Sequence, residues 1–448
     1  MVALIFNFNN VFAVDPAWKY VTWAPSRLAA LSLDGAAKRV RLQNDDTATG
    51  GQIVFLASPD GTPADTIELD VPARAPNRTD HVQCRIAGRF DAADGGTGFA
   101  STTDGDAVIR VTDVSSNSVI RTESLMVRIR KNANDLTPAE RDRFLTALVT
   151  LNQQGNFVDF QNMHTADTSM EIHGRSCFLP WHRLYLLDLE RKLQAIDPSV
   201  VLPYWKFDEP GPNVFTEDFL GVPDSTGIVQ FSSSNPLVNW RLTVFGEGSG
   251  RISRTPVPNF DPATQPARVQ NNEAATLNLG TTPGPTPGAS RVTFERFERM
   301  EGDPHGSAHV SFLGQVADIG RAPADPLFFL LHANVDRLWA KWQWLQDRAE
   351  PDDDRAYHKQ GFGPNNPDPR RANADRIGNY LDDALWPWCG LVGDPRPRTA
   401  PGTYFPASPF LSVPNRYPLI REAVDFQGQN DLAANLGFSY DDVPFDFE

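Results

Sequence analysis

Between about residues 15 and 131, apolar and polar positions alternate in short runs. In Lys38–Asn44 the side chains of Val40 and Leu42 share one face, and Gln52–Ala57 and Ala107–Thr112 repeat the period of two. Ser124–Arg130 does the same, with Leu125, Val127 and Ile129 set against polar partners. Pro59-Asp60-Gly61, Asp94-Gly95-Gly96 and Asp104-Gly105 supply turns between such runs. Short strands separated by regular turn signals predict an antiparallel β-sandwich or small barrel. His81 is isolated in this region and reads as an ordinary surface or core histidine, without a catalytic constellation around it.

The period changes at Leu136-Thr137-Pro138-Ala139-Glu140. Thr137 suits an N-cap, Pro138 the first helical position and Glu140 the reciprocal acceptor of a capping box. Phe144, Leu145, Leu148 and Leu151 then recur at helical spacing. The domain boundary is placed near 131–136, which gives a multidomain α+β chain: a β-rich part over 1–133 and a mainly helical part over 134–346. Gly, Pro, Asn and Ser crowd residues 210–290, including Thr281 to Gly288, and predict a surface-loop insertion. Residues 347–448 form a Pro-rich C-terminal extension, with Pro395, Pro397, Pro401, Pro406, Pro409, Pro414 and Pro418. It is expected to pack on the helical part and is a candidate lid.

Composition narrows the function. The 448 residues carry 41 Lys+Arg and 56 Asp+Glu, a net charge of −15, which argues against nucleic-acid partners and against a polybasic membrane surface. No apolar run approaches the roughly 20 residues that span a bilayer. Met1 to Asn10 is apolar but lacks a leading Lys or Arg and is broken by Asn7, Asn9 and Asn10, a poor secretory signal, so a cytoplasmic location is expected. Three widely spaced cysteines, Cys84, Cys177 and Cys389, make no disulfide framework.

Histidine placement is the informative feature. Of eight histidines, His164, His173 and His182 fall in one short window and His305, His309 and His332 in another. His305 and His309 at i, i+4 share one face of a helix. His182 stands at the start of a helical stretch, Trp181 to Gln194 (Leu186, Leu189, Leu193), and His332 opens one to Gln343 (Val335, Leu338, Trp339). Three imidazoles per window, with no cysteine and no clustered carboxylate, suit Zn, Cu, Fe or Ni. A zinc hydrolase usually adds a carboxylate or a His-Glu-x-x-His pair, and di-iron sites need a Glu-rich shell, so two all-imidazole sites favour copper. Such neutral ligands predict metal affinity that falls as pH drops through about 6.5.

Phe178-Leu179-Pro180-Trp181-His182-Arg183, followed by Tyr185, Leu186, Glu190, Pro203-Tyr204-Trp205 and Asp208, resembles the first copper region of tyrosinases and polyphenol oxidases. His305-Gly306-Ser307-Ala308-His309 and the run from Asp325 to Trp339 resemble the second. The resemblance covers about residues 136–346. It implies a type-3 dicopper centre inside a four-helix bundle, with His164, His173 and His182 on one copper and His305, His309 and His332 on the other. It also implies oxidation of o-diphenols to o-quinones with O₂ as co-substrate, with hydroxylation of monophenols and oxidation of o-aminophenols as further candidate activities. A haemocyanin-like O₂ carrier and a dinuclear zinc hydrolase are the alternatives. The implied partner is a small phenolic substrate; a homo-oligomer and a copper-delivery protein remain open.

Within that resemblance, Glu301 matches a carboxylate that holds a water and serves as general base toward a monophenol. Gly306 stands where monophenol-hydroxylating relatives have Asn, which makes catechol oxidation the expected half of the activity. Ile319 aligns with a residue gating the first copper, and Phe328 and Phe178 are candidates to border substrate. Leu331 replaces a non-ligating histidine found in many relatives. Cys177 follows His173, whereas the cysteine that forms a thioether in some relatives precedes it, so no crosslink is expected. Asp336 and Arg183 are candidates to orient the ligand helices. The aromatic tail (Tyr404, Phe405, Phe438, Tyr440, Phe445, Phe447) is a candidate plug.

Overall fold

The computed structural model describes residues 2–7, 19–45, 51–58, 61–74, 80–90, 107–174, 176–242, 251–279, 293–357, 381, 383, 385–388 and 419–445. The turns at 59–60, 94–96 and 104–105, the 281–288 run, Cys389, the proline cluster 395–418, Tyr404, Phe405 and Phe447 lie outside the described residues. The chain divides into two compact units, one of residues 1–10, 14–130 and 426–448, the other of 11–13 and 131–425.

The first unit is β. Strands β1 (Val2–Asn7), β3 (Ser26–Ser32), β7 (Val82–Phe90) and β5 (Gly51–Leu56) form one antiparallel sheet in the order β1-β3-β7-β5. Strands β2 (Tyr20–Val21), β9 (Ser118–Val127), β8 (Ala107–Asp113), β4 (Lys38–Asn44) and β6 (Thr66–Val71) form the second in that order, with β2 parallel to β9. Period-two alternation sends Leu28, Val40, Leu42, Ile53, Phe55, Ile86, Ile109, Val111, Leu125 and Val127 into one apolar cluster shared by both sheets. The last residues belong here as well. The buried Arg130 guanidinium lies 3.9 Å from the Phe438 ring centre and 5.3 Å from that of Tyr440, and it donates to the Tyr440 hydroxyl at 2.9 Å. A buried cation needs such partners, which explains why 426–448 group with the strands, whereas the whole of 347–448 was expected on the helical part.

The second unit is mainly helical: α1 (Pro138–Gln153), α2 (Phe157–Met163), α3 (Ala166–Ile172), α4 (Phe178–Gln194), α5 (Glu273–Leu277), α6 (Phe294–Phe297), α7 (Ser307–His309), α8 (Leu327–Gln346) and α9 (Ile420–Val424). The Thr137/Glu140 capping box opens α1, with Pro138 in the first turn. Helices α4 and α8 pack on each other and bury nearly every side chain, so they form the centre of the unit. Both begin earlier than the histidine-led runs suggest. Pro180 is tolerated in the first turn of α4, where its missing N–H is not needed. At the head of α8, Asp325 accepts the Leu327 N–H at 3.0 Å while the buried Arg254 grips the same carboxylate at 2.6 and 2.8 Å. Residues 210–279 of the insertion include short pairings, and Arg254–Pro256 runs antiparallel to Phe312–Gly314, just past His309. Among the described residues no helix is long and apolar enough to cross a membrane.

Candidate metal centre

His164 and His173 sit at the C-terminal ends of α2 and α3, while His182 and His332 are carried inside α4 and α8. His305 lies in a wide helical turn, and His309 is the last residue of the short α7. Asp303 leaves helical geometry (φ −147°, ψ 123°), its carboxylate accepting the backbone N–H groups of Gln270 and Asn271 at 3.0 and 2.7 Å. A wide turn over Gly302–Gly306 then leads into the short α7. The i, i+4 spacing survives, and the two rings lie 4.7 Å apart.

Each triplet closes on itself, with one ring nitrogen per histidine within 4.8 Å of the others in its set. The two sets face each other: His182 stacks on His332 with ring centres 4.4 Å apart and planes 15° from parallel, and His173 faces His305 at 6.3 Å. Backbone carbonyls fix three of the rings. Nδ1 of His182 donates to Phe178 O at 2.8 Å, that of His305 to Glu301 O at 2.7 Å, and that of His309 to Val316 O at 2.6 Å. A carbonyl oxygen only accepts, so in each ring Nδ1 carries the hydrogen and Nε2 presents a lone pair.

Those lone pairs converge. Nε2 of His305 and of His309 lie 3.3 and 3.2 Å from Nε2 of His332. Nε2 of His182 and Nδ1 of His173 are buried without a hydrogen-bond partner. Burial holds His164 down to about 3 and His309 to about 4, and it keeps His173, His182, His305 and His332 well below the ordinary histidine range. The imidazoles therefore remain neutral well below pH 6.5, which moves the expected loss of metal affinity to more acid conditions. Bare nitrogens crowded in a dry pocket are costly unless a cation sits among them. Six neutral imidazoles are a donor set that fits two coppers.

The chain matches the family description "Tyrosinase: Common central domain of tyrosinase" over residues 154–345. A tyrosinase of Streptomyces glaucescens is 33% identical over 233 residues, covering 48% of this chain and 82% of the relative. The chain belongs to the tyrosinase family. Grixazone synthase of Streptomyces griseus is 31% identical over 263 residues, covering 49% of this chain and 85% of that enzyme. A functional unit of octopus hemocyanin has a TM-score of 0.45 at 20% identity, covering 71% of this chain and 69% of that one. As a tyrosinase-family protein, this chain is a copper oxidase whose cofactor is a pair of copper ions, and its two histidine triplets are groups among the described residues whose ring nitrogens could hold a metal ion.

Beside the triplets of this tyrosinase-family centre lies a cavity of about 200 Å³. Gly306, Ile319 and Phe328 line it, together with Val310, Val316, Ala317 and Ala322 and every histidine of the two triplets except His182. The Phe328 ring stands 4.2 Å from that of His332 and 4.9 Å from that of His164. Phe178 packs against His182 and His305 at 4.6 and 4.8 Å and does not line the cavity. Glu301 is also absent from the lining. Its carboxylate accepts the Gly174 N–H at 2.6 Å, tying the residue after His173 to the turn that carries His305. Nothing in the sequence signals a contact across 127 positions. Val310 was missed, although its place directly after His309 could have marked it.

Around the centre, Arg183 and Asp336 meet at 2.5 Å, both fully buried, and the guanidinium lies 3.7 Å over Trp339. Leu331, Cys177, Trp181 and Trp339 are buried core residues.

Proposed function

We propose that this protein oxidises o-diphenols to o-quinones with O₂. Two catechols would give up four electrons and four protons to one O₂, yielding two quinones and two waters. In this reading His164, His173 and His182 hold one copper and His305, His309 and His332 the other, and the four-helix-bundle frame is made by the helices and turns that carry them. A bound copper pair supplies the two-electron acceptor and its reoxidation by O₂. The carrying observation is the face-to-face arrangement of two neutral, buried triplets, with His182 stacked on His332.

The chain's own residues do the rest. The carbonyls of Phe178, Glu301 and Val316 aim three Nε2 atoms inward, and Phe328 and Ile319 flank the space open to an aromatic ring. Gly306 places no side chain there, which supports catechol oxidation over monophenol hydroxylation. Oxygen uptake by the copper-loaded protein, followed with matched monophenols, o-diphenols and o-aminophenols, tests this. Catechol-dependent uptake with quinone formation is the expected result. Reversible oxygen binding without turnover would overturn it.

A further inference from the structure

The cavity beside the histidines contains no charged side chain and no hydroxyl or amide side chain among the described residues. Its polar side chains are imidazoles, and the other lining residues are Gly306, Phe328 and aliphatics. Two lining residues also reach solvent: Val310 is 61% exposed and Ile319 48%. They mark the mouth, and both are aliphatic. The charged residues nearest in sequence, Asp318 and Arg321, do not line the cavity, and Asp318 accepts the Gly320 N–H at 3.0 Å. An apolar cavity of about 150 Å³ is enough for benzene, so about 200 Å³ holds one ring and a small substituent. A larger substituent must leave between Val310 and Ile319.

Resting on the oxidase reading above, we infer that the site selects phenolic rings with uncharged, apolar substituents and discriminates against those bearing a carboxylate, with Val310 and Ile319 as the specificity-determining residues. A carboxylate drawn into this mouth loses hydration and gains no cationic partner, a cost without compensation. An alkyl substituent instead covers two aliphatic side chains that are otherwise wet, and it gains with each methylene buried. The net charge of −15 repels anions further, but that effect is long-ranged and screened by salt, whereas the missing counter-charge in the mouth is not.

The test compares 4-tert-butylcatechol, dopamine, 3,4-dihydroxyphenylacetate and 3,4-dihydroxyphenylalanine on the copper-loaded protein at about 0.5 M salt, where the Debye length is about 4 Å. The expected result is a kcat/KM for the alkyl catechol at least about tenfold above that for either carboxylate-bearing catechol, carried mainly by KM. Ile319→Lys is expected to raise the carboxylate-to-alkyl ratio of kcat/KM about fivefold, the scale of an exposed charge pair. Equal turnover of alkyl and carboxylate catechols, or an unchanged ratio in both Ile319→Lys and Val310→Lys, overturns the inference while leaving the oxidase reading intact. Failure to oxidise even the alkyl catechol overturns the oxidase reading instead.

Discussion

The Arg183 guanidinium meets the Asp336 carboxylate at 2.5 Å in the interior of the helical unit, joining α4 one residue past His182 to α8 one turn past His332. The same guanidinium donates to Gln343 Oε1 at 2.9 Å and to the Ala423 carbonyl at 2.6 Å. The pair therefore sets the spacing of the two helices whose histidines stack. Asp336→Ala leaves Arg183 buried and short of its anion, and is expected to cost about 3–5 kcal/mol. Urea unfolding of the copper-loaded protein measures this, and a loss below 1 kcal/mol by the same method would remove the pair from the account.

His182→Ala and His332→Ala should each abolish quinone formation and lower bound copper from two equivalents to one. Metal analysis after gel filtration checks the stoichiometry. Full activity in either variant contradicts the triplet assignment.

Glu301 separates two roles. Its carboxylate oxygen caps the Gly174 N–H; Gln can still accept that bond but cannot take a proton. If the clamp is what matters, Glu301→Gln keeps copper affinity and diphenol oxidation near the parent level, and Glu301→Ala loses both about tenfold, in line with lost orientation of a ligand. Equal losses in the two variants would instead mark the carboxylate as a base.

Gly306 has room for a side chain: a Cβ built there meets only Glu301 O, at 3.4 Å. Gly306→Asn should therefore fold and should raise the ratio of monophenol hydroxylation to diphenol oxidation. An unchanged ratio on a matched phenol and catechol counts against a role for this position.

The pH dependence of the copper-free protein follows from burial. His164 and His309 protonate at about 3 and 4 in the folded chain against 6.5 when unfolded, so the unfolded state takes up protons first and stability falls as pH drops below about 6.5. Asp188 works in the other direction. Burial raises it from 3.8 to about 8, even though the Trp388 indole N–H donates to it at 2.8 Å, so its contribution fades as pH rises toward 8. The urea midpoint should peak near pH 6.5, and Asp188→Asn should flatten the alkaline limb. A midpoint unchanged between pH 5 and 6.5 would contradict the burial of neutral imidazoles.

The sequence alone determined what is local. Period-two alternation named the inward faces of β4, β8 and β9, and Thr137, Pro138 and Glu140 wrote the start of α1, because capping and pleating depend on near neighbours. Two histidine triplets in a chain poor in histidine named the two groups of imidazoles that the fold brings together, because coordination chemistry restricts which side chains can serve a metal. Only tertiary structure decided the rest. The Glu301–Gly174 hydrogen bond, the Arg254 grip on Asp325, and the return of Phe438 and Tyr440 to Arg130 all join residues distant in the chain, where no periodicity records the pairing. The turn at Asp303 likewise follows from backbone N–H groups some thirty residues earlier. The neutrality of the six imidazoles is decided at the same level, since desolvation depends on what the folded chain packs around each ring.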